Sequence, residues 1–232
     1  LIDAGITCKQ IVKRLSSIGK DIKDIKGLLI THEHIDHIRG ADYLTRKFNI
    51  PMYVTQKTFE VFRHHMKSPS NIKFIKRDQR FMIDDVEILP FSKSHDCVDP
   101  VSYSLTHAGK TASVITDVGY ACENVKNAVR NSDILCLESN HDIDMLYNGR
   151  YPFYLKQRIG SEVGHLSNYD ATVLTMDCAT PRLKTVMLSH LSESNNTPEI
   201  AKLTFDMIKD RKDLNIQSIV ASRDNPTEVF RI

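Results

Sequence analysis

Apolar runs of strand length recur along the chain, most of them stop at a polar residue, and they alternate with stretches of helical periodicity. The run "IKGLLITH" (25–32) ends on His32 and gives way to a helical pattern from Ile38 to Phe48. "IPMYVTQ" (50–56) reads as the next strand and "QKTFEVFRHHM" (56–66) as a short helix. "FMIDDVEILPFSKSH" (81–95) and "VSYSLTH" (101–107) read as strands that can pair antiparallel, and "TASVITD" (111–117), "DILCLES" (133–139) and "LKTVMLSH" (183–190) have the length of buried strands. Helices are expected over 122–131, 167–178 and 197–211. In the last, Thr197, Pro198 and Glu199 supply an N-cap, a first-turn proline and an early acid. Strands interleaved with helices predict a layered α/β fold. His32, His95, Asp117, Glu138 and His190 each lie at or just past the C-terminal end of an apolar run. Strand ends facing one way can bring such residues to one edge, where α/β folds place ligands.

Composition narrows the picture without naming a chemistry. At 232 residues, with 41% hydrophobic and 26% charged, the chain has the make-up of a soluble globular protein of one large or two small domains. No apolar run approaches the roughly 18–20 residues of a membrane span, so no membrane partner is expected. A net charge of +2 permits nucleic-acid binding without arguing for it. The basic stretches 8–26, 73–80 and 208–215 are interrupted by acids and read as solvated helix faces or loops. The five cysteines (Cys8, Cys97, Cys122, Cys136 and Cys178) are scattered and never spaced as CxxC. They read as reduced thiols of a cytoplasmic protein. The chain opens on "LIDAG" without Met, so residue 1 is expected not to be the biological start.

The densest chemistry is in "LLITHEHIDHIRGADYL" (28–44). His32 and His34 lie two apart on an extended segment and can point to one side. Asp36 and His37 follow as the chain turns into a helix and can face a second point. One metal cannot readily take all four from so short a loop, whereas two neighbouring metals can. Imidazole with carboxylate suits Zn²⁺, and also Mn²⁺ or Fe²⁺.

"HEHIDH" matches the HxHxDH signature of the metallo-β-lactamase fold superfamily, and the remaining motifs follow in order. They are Asp3 in "LIDAG", His95 in "SHDCVDPVSY", Asp117 in "ITDVG" and His190 in "LSHLSESNNTPE". The resemblance runs from residue 1 to about 200. It implies a four-layer αββα sandwich formed by residues 1–232 as a single domain, with the first strands missing ahead of "LIDAG". It further implies one metal on His32, His34 and His95, a second on Asp36, His37 and His190, and Asp117 bridging them. Asp3 would orient motif histidines from behind.

The intervals between motifs separate branches of the superfamily. The short step from His95 to Asp117 leaves no room for the tRNA-gripping arm usual in RNase Z enzymes. The step from Asp117 to His190 is too short for a β-CASP domain, and the tail after His190 is shorter than a glyoxalase II helical domain. Asp117 stands where many true β-lactamases have Cys. "LCLESNHDIDML" (135–146), "VGHLSNYDA" (163–171) and "LSHLSESNNTPEIA" (188–201) resemble the compact bacterial WalJ/YycJ/VicX subgroup, a relative of the RNase Z branch. That resemblance implies a 5′-to-3′ DNA exonuclease with Glu138 and His165 between the last two metal motifs.

In such chemistry Asp36 is a ligand and a proton acceptor, and His165, oriented by Glu138, protonates the leaving oxygen. Ser167 and Asn168 either touch phosphate or cap a helix. His141 either approaches substrate or is an ordinary loop histidine. Two other readings use the same centre: hydrolysis of a small cyclic phosphodiester or thioester, and a regulatory metalloprotein. The oligomeric state, monomer or homodimer, is open.

Overall fold

The structure is a computed structural model, and residues 1–210 and 215–230 are described. The end of the helix expected over 197–211 and half of the basic stretch 208–215 therefore lie outside the described residues. Backbone contacts divide the chain into two compact units. The first is built mainly from Leu1–Ser92 and Cys97–Tyr103, the second from Lys93–Asp96 and Ser104–Arg223.

The first unit opens with helix α1 (Cys8–Ser17), started by a capping box in which Thr7 and Gln10 each bond the other's backbone amide. Strand β1 is short (Leu28–Leu29) and precedes helices α2 (Ile35–Ile38) and α3 (Ala41–Phe48). The sequence pattern predicts one helix over 38–48, with no break after Ile38. The break falls at Gly40 because the chain's opening segment passes against it. The Gly40 amide donates to Ala4 O (2.7 Å), and a Cβ there would lie 2.6 Å from the Ile6 carbonyl oxygen. Asn49, in the left-handed region at φ +52°, ends α3.

Strand β2 (Met52–Thr55) runs parallel to β1 and to β3 (Ile72–Ile75), with Leu28 opposite Met52 and Thr55 opposite Ile75. Helix α4 (Gln56–Phe62) starts on a Thr55 cap and tightens into a 3₁₀ turn over Arg63–His65, so the helix expected to Met66 ends early. Strands β4 (Phe81–Ile83) and β5 (Val86–Ser92) form an antiparallel hairpin. The sequence reading has one strand there, but Asp84, at φ +50°, turns the chain. Leu28, Ile30, Leu44, Met52, Val54 and Phe62 are buried at the centre of this unit's core. At about 1.5–3 kcal/mol each, such side chains hold the small sheet and its helices together.

Strand β6 (Val101–His107) crosses the division between units. Its last residues fold back on β7 (Lys110–Ile115), with Ser104 bonded to Ser113 and Thr106 to Thr111. Helix α5 (Glu123–Asn131) leads to β8 (Ile134–Glu138). Helices α6 (Ile143–Asn148) and α7 (Phe153–Ile159) follow, neither expected from the sequence pattern. Helix α8 (Asn168–Cys178) is buried on most sides, as its mixture of Ala, Thr, Leu and Met allows. After β9 (Thr185–Ser189), helix α9 (Pro198–Lys209) starts on Thr197, whose Oγ1 accepts from the Ile200 amide. Strand β10 (Gln217–Val220) closes the order β10-β9-β8-β7-β6.

Strands β7 to β10 are all parallel. Ile115 lies opposite Leu137 and Glu138 opposite Ser189, so these C-terminal ends share one edge. The protein is thus mixed α/β with sheets flanked by helices. None of the described helices is long and apolar enough to cross a membrane.

Candidate metal centre

In the first unit, β1 delivers the chain to Thr31 and the histidine loop follows at once. His34 is the residue before α2, so Asp36 and His37 fall in that helix's first turn. The His32 ring meets His34 and His37 with centroids 4.6 and 4.0 Å away, and His37 Nε2 lies 3.7 Å from Asp36 Oδ2. Asp3 braces the loop from behind. Its Oδ2 accepts from His37 Nδ1 (2.7 Å) and Thr31 Oγ1 (2.8 Å), and its Oδ1 accepts from the Thr31 amide (2.8 Å). Thr31, which the sequence reading passed over, also reaches His32 Nδ1 at 2.9 Å. A threonine directly before an HxHxDH run is the signal that could have singled it out.

The second unit gathers His95, Asp117, Glu138, His165 and His190 from the ends of separate segments. One ligand atom from each of Asp117, Glu138, His165 and His190 lies within 4.8 Å of every other. Glu138, fully buried at the end of β8, organises the group. Its Oε1 accepts from His165 Nδ1 and from His190 Nδ1, both at 2.8 Å, and from the Asp117 amide. Its Oε2 accepts from the amides of Val118 and Leu166. Five donors on one carboxylate outweigh the cost of burying it and hold its pKa far below the usual carboxylate range.

The histidine charges follow from the same contacts. Burial alone would lower the His165 pKa, but hydrogen-bonded Glu138, with Asp117 beyond, outweighs it and leaves the imidazole above its ordinary value. His95 goes the other way. Burial, helped by Lys93 and His165, depresses it to about 4 despite Asp117 and Asp96 nearby. His95 Nδ1 points at the Gly164 carbonyl oxygen (3.2 Å), a bond that requires a proton on that nitrogen.

A shared arrangement emerges. His37, His95 and His190 each direct Nδ1 to a carboxylate or carbonyl oxygen, which fixes the proton there and presents the Nε2 lone pair. That is how metal-binding imidazoles are usually held. Together with the carboxylates of Asp36 and Asp117, the donor set fits a divalent ion of the Zn²⁺ or Mn²⁺ kind. Asp3, Asp117 and His190 also share a left-handed backbone, at φ +54°, +56° and +57°. Non-glycine residues there cost about 1–3 kcal/mol and cluster at functional sites.

Residues 1–190 match the family described as Beta-lactamase superfamily domain. The chain belongs to this family. It is 34% identical over 224 residues to Exodeoxyribonuclease YycJ of Bacillus anthracis, covering 93% of this chain and 83% of that one. It is 36% identical over 208 residues to Exodeoxyribonuclease WalJ of Streptococcus pneumoniae serotype 2, covering 88% and 77%. Among solved structures, the metallo-β-lactamase fold protein YhfI of Bacillus subtilis superposes with a TM-score of 0.69 at 15% identity, over 95% of this chain and 83% of that one. The β-lactamase superfamily fold is therefore established, and the chain falls with YycJ and WalJ within it.

The remaining candidates, Ser167, Asn168 and His141, lie in the second unit. Ser167 caps α8 by accepting from the Asp170 amide and donates to the Asp170 carboxylate. Asn168 and Asn196 form a reciprocal amide pair, and Ser139 Oγ donates to Asn168 Oδ1. His141 is buried, and its carbonyl accepts from the Asn168 amide. Its Nδ1 has no hydrogen-bond partner among the described residues.

Proposed function

We propose that the chain is a cytoplasmic, metal-dependent exodeoxyribonuclease that degrades DNA from the 5′ end, with residues 1–232 working as one domain. The observation that carries this reading is the set of histidines held by Nδ1 in both units, beside acidic residues of metal-binding type. The names of YycJ and WalJ, similar along most of their length, give the substrate class. In this reading His32, His34 and His95 would hold one ion, Asp36, His37 and His190 would hold the other, and Asp117 would be shared by both, as the family resemblance implies. The ions are Zn²⁺ or Mn²⁺.

Bound divalent ions supply a water of lowered pKa and neutralise charge building on the phosphate. The chain's own residues do the rest. Asp36 is exposed enough to take the proton of the attacking water. His165, whose pKa is raised by Glu138 against the lowering effect of burial, gives its proton to the leaving oxygen. Asp3 and Glu138 keep imidazoles turned so that Nε2 faces the ligand.

Metal content measured alongside DNA hydrolysis tests the pairing of the two sets. Wild type is expected to retain two ions per chain, while His37→Ala and His190→Ala each lose metal and hydrolysis. Full metal content and activity in either variant would overturn the assignment.

A further inference from the structure

The first unit carries a second feature at the sheet edge that bears the histidine loop. Strands β1, β2 and β3 are parallel, so Thr31–His32, Thr55–Lys57 and Lys76–Arg77 leave from the same edge. Beside β2 and β3 this edge opens into a cleft of about 530 Å³, whose charged and amide lining is Gln56, Lys57, Glu60, Lys76, Arg77 and Asp99.

The charges in the cleft are unevenly committed. The Arg77 guanidinium pairs with Asp99 at 3.0 Å, and Glu60 accepts from the Gln56 amide at 2.9 Å. Lys57 and Lys76 have neither a hydrogen bond nor an ion pair from their ammonium groups among the described residues. Two uncommitted cations in a polar cleft call for an anion. Lys57 lies in the first turn of α4, just past the end of β2, and Lys76 directly follows the end of the neighbouring strand β3, so both line the same cleft.

The cleft is also tied to the histidine loop. Asp99 is buried, and its carbonyl accepts from Thr58 Oγ1. On either side of it, the Val98 amide donates to Glu33 (2.8 Å) and the Val101 amide to the Thr31 carbonyl (3.0 Å). Thr31 and Glu33 flank His32. One short segment therefore forms a wall of the cleft and a brace of the loop.

We infer that this cleft is a backbone-binding subsite, in which Lys57 and Lys76 contact phosphates of the DNA strand away from the bond that is cut. The inference rests on the nuclease reading for the identity of the strand. It assigns the lysines to holding the polymer and gives them no part in the chemical step. Their contribution is therefore specific to long substrates and sensitive to salt.

The test is the double variant Lys57→Gln/Lys76→Gln, read in two assays. Binding of a fluorescein-labelled 20-nucleotide single strand is followed by anisotropy across a KCl series, in an Asp36→Ala background so that nothing is cut. About tenfold weaker binding is expected, with the slope of log affinity against log salt shallower by about 1.4, two contacts at about 0.7 each. Unchanged affinity and slope would overturn the subsite. In the catalytically intact background, hydrolysis of bis(p-nitrophenyl) phosphate is expected to stay within twofold of wild type. A large fall there would place the lysines in the catalytic machinery and overturn the inference. Inorganic phosphate that competes as well as the oligonucleotide, phosphate for phosphate, would assign the cleft to a free anion instead. Because binding is read without cleavage, a wild type that fails to cut DNA would sink the nuclease reading and leave the strand-binding result to stand or fall by itself.

Discussion

The two units hold their histidines by opposite strategies. In the first, four ligand-type residues come from one six-residue loop, and the brace behind them, Asp3, comes from the chain's first few residues. In the second, each residue arrives from a different strand end or loop, and one buried carboxylate at the end of β8 gathers them. The loop is specified by local sequence, whereas the second set exists only when β7, β8 and β9 pair in the right register. Damage to the first set should therefore be local, and damage to Glu138 should spread to two histidines at once.

His165→Ala should give the largest effect of the variants that separate the two strategies, because it removes the proposed proton donor and leaves both braces intact. Turnover is expected to fall by about 10²–10⁴-fold with metal stoichiometry retained. Loss of metal in step with activity would make His165 a ligand and redraw the second set.

Glu138→Gln is expected to act on two levels. Metal affinity should fall by about 10–100-fold, as for partners behind a ligand, because His190 loses its charged acceptor. In the pH profile, Glu138 favours the protonated His165, outweighing the lowering caused by burial. Activity that needs this proton falls as pH rises through the His165 pKa. Removing the carboxylate charge lowers that pKa, so the alkaline limb should move to lower pH. An unmoved limb would separate His165 from the rate profile. Asp3→Asn, the matching change in the first unit, should weaken metal binding by a similar factor and leave the limb where it was.

The smallest effect concerns packing. A Cβ on Gly5 would lie 1.6 Å from the Asp36 carbonyl oxygen, so the opening segment and the histidine loop are in backbone contact. Gly5→Ala is expected to destabilise the metal-free protein by about 1–3 kcal/mol, measured by urea unfolding. A neutral result would mean that the loop yields easily and is ordered by metal.

The same contrast explains which parts of the site are legible in the sequence. "HEHIDH" announces its chemistry because its residues are neighbours in sequence as well as in space. His95, Asp117, Glu138 and His190 were traceable as polar residues ending apolar runs, since parallel strands must end at one edge. That a single carboxylate would hold both His165 and His190 was not legible, because it depends on side-chain directions set by the pairing of β8 with β9. The left-handed backbones of Asp117 and His190 were hidden too, because aspartate and histidine mark positive φ far less plainly than glycine does. Helices α6 and α7 escaped because exposed Ile143, Tyr147, Phe153 and Tyr154 are mixed with buried Leu146 and break the expected pattern. The cleft was masked because Lys76 stands in a basic stretch broken by Asp78, whose carboxylate instead accepts from the Ser92 amide and hydroxyl.

The central claim is a metal-dependent exonuclease acting from the 5′ end, and end-labelled DNA tests it most directly. Protein loaded with Mn²⁺ or Zn²⁺ is followed over time on oligonucleotides labelled at the 5′ or the 3′ end, beside Asp36→Ala. Early release of the 5′ label, with progressive shortening of the 3′-labelled strand and neither event in the variant, is the expected result. Intact DNA with metal bound, or release that begins at the 3′ label, would contradict it.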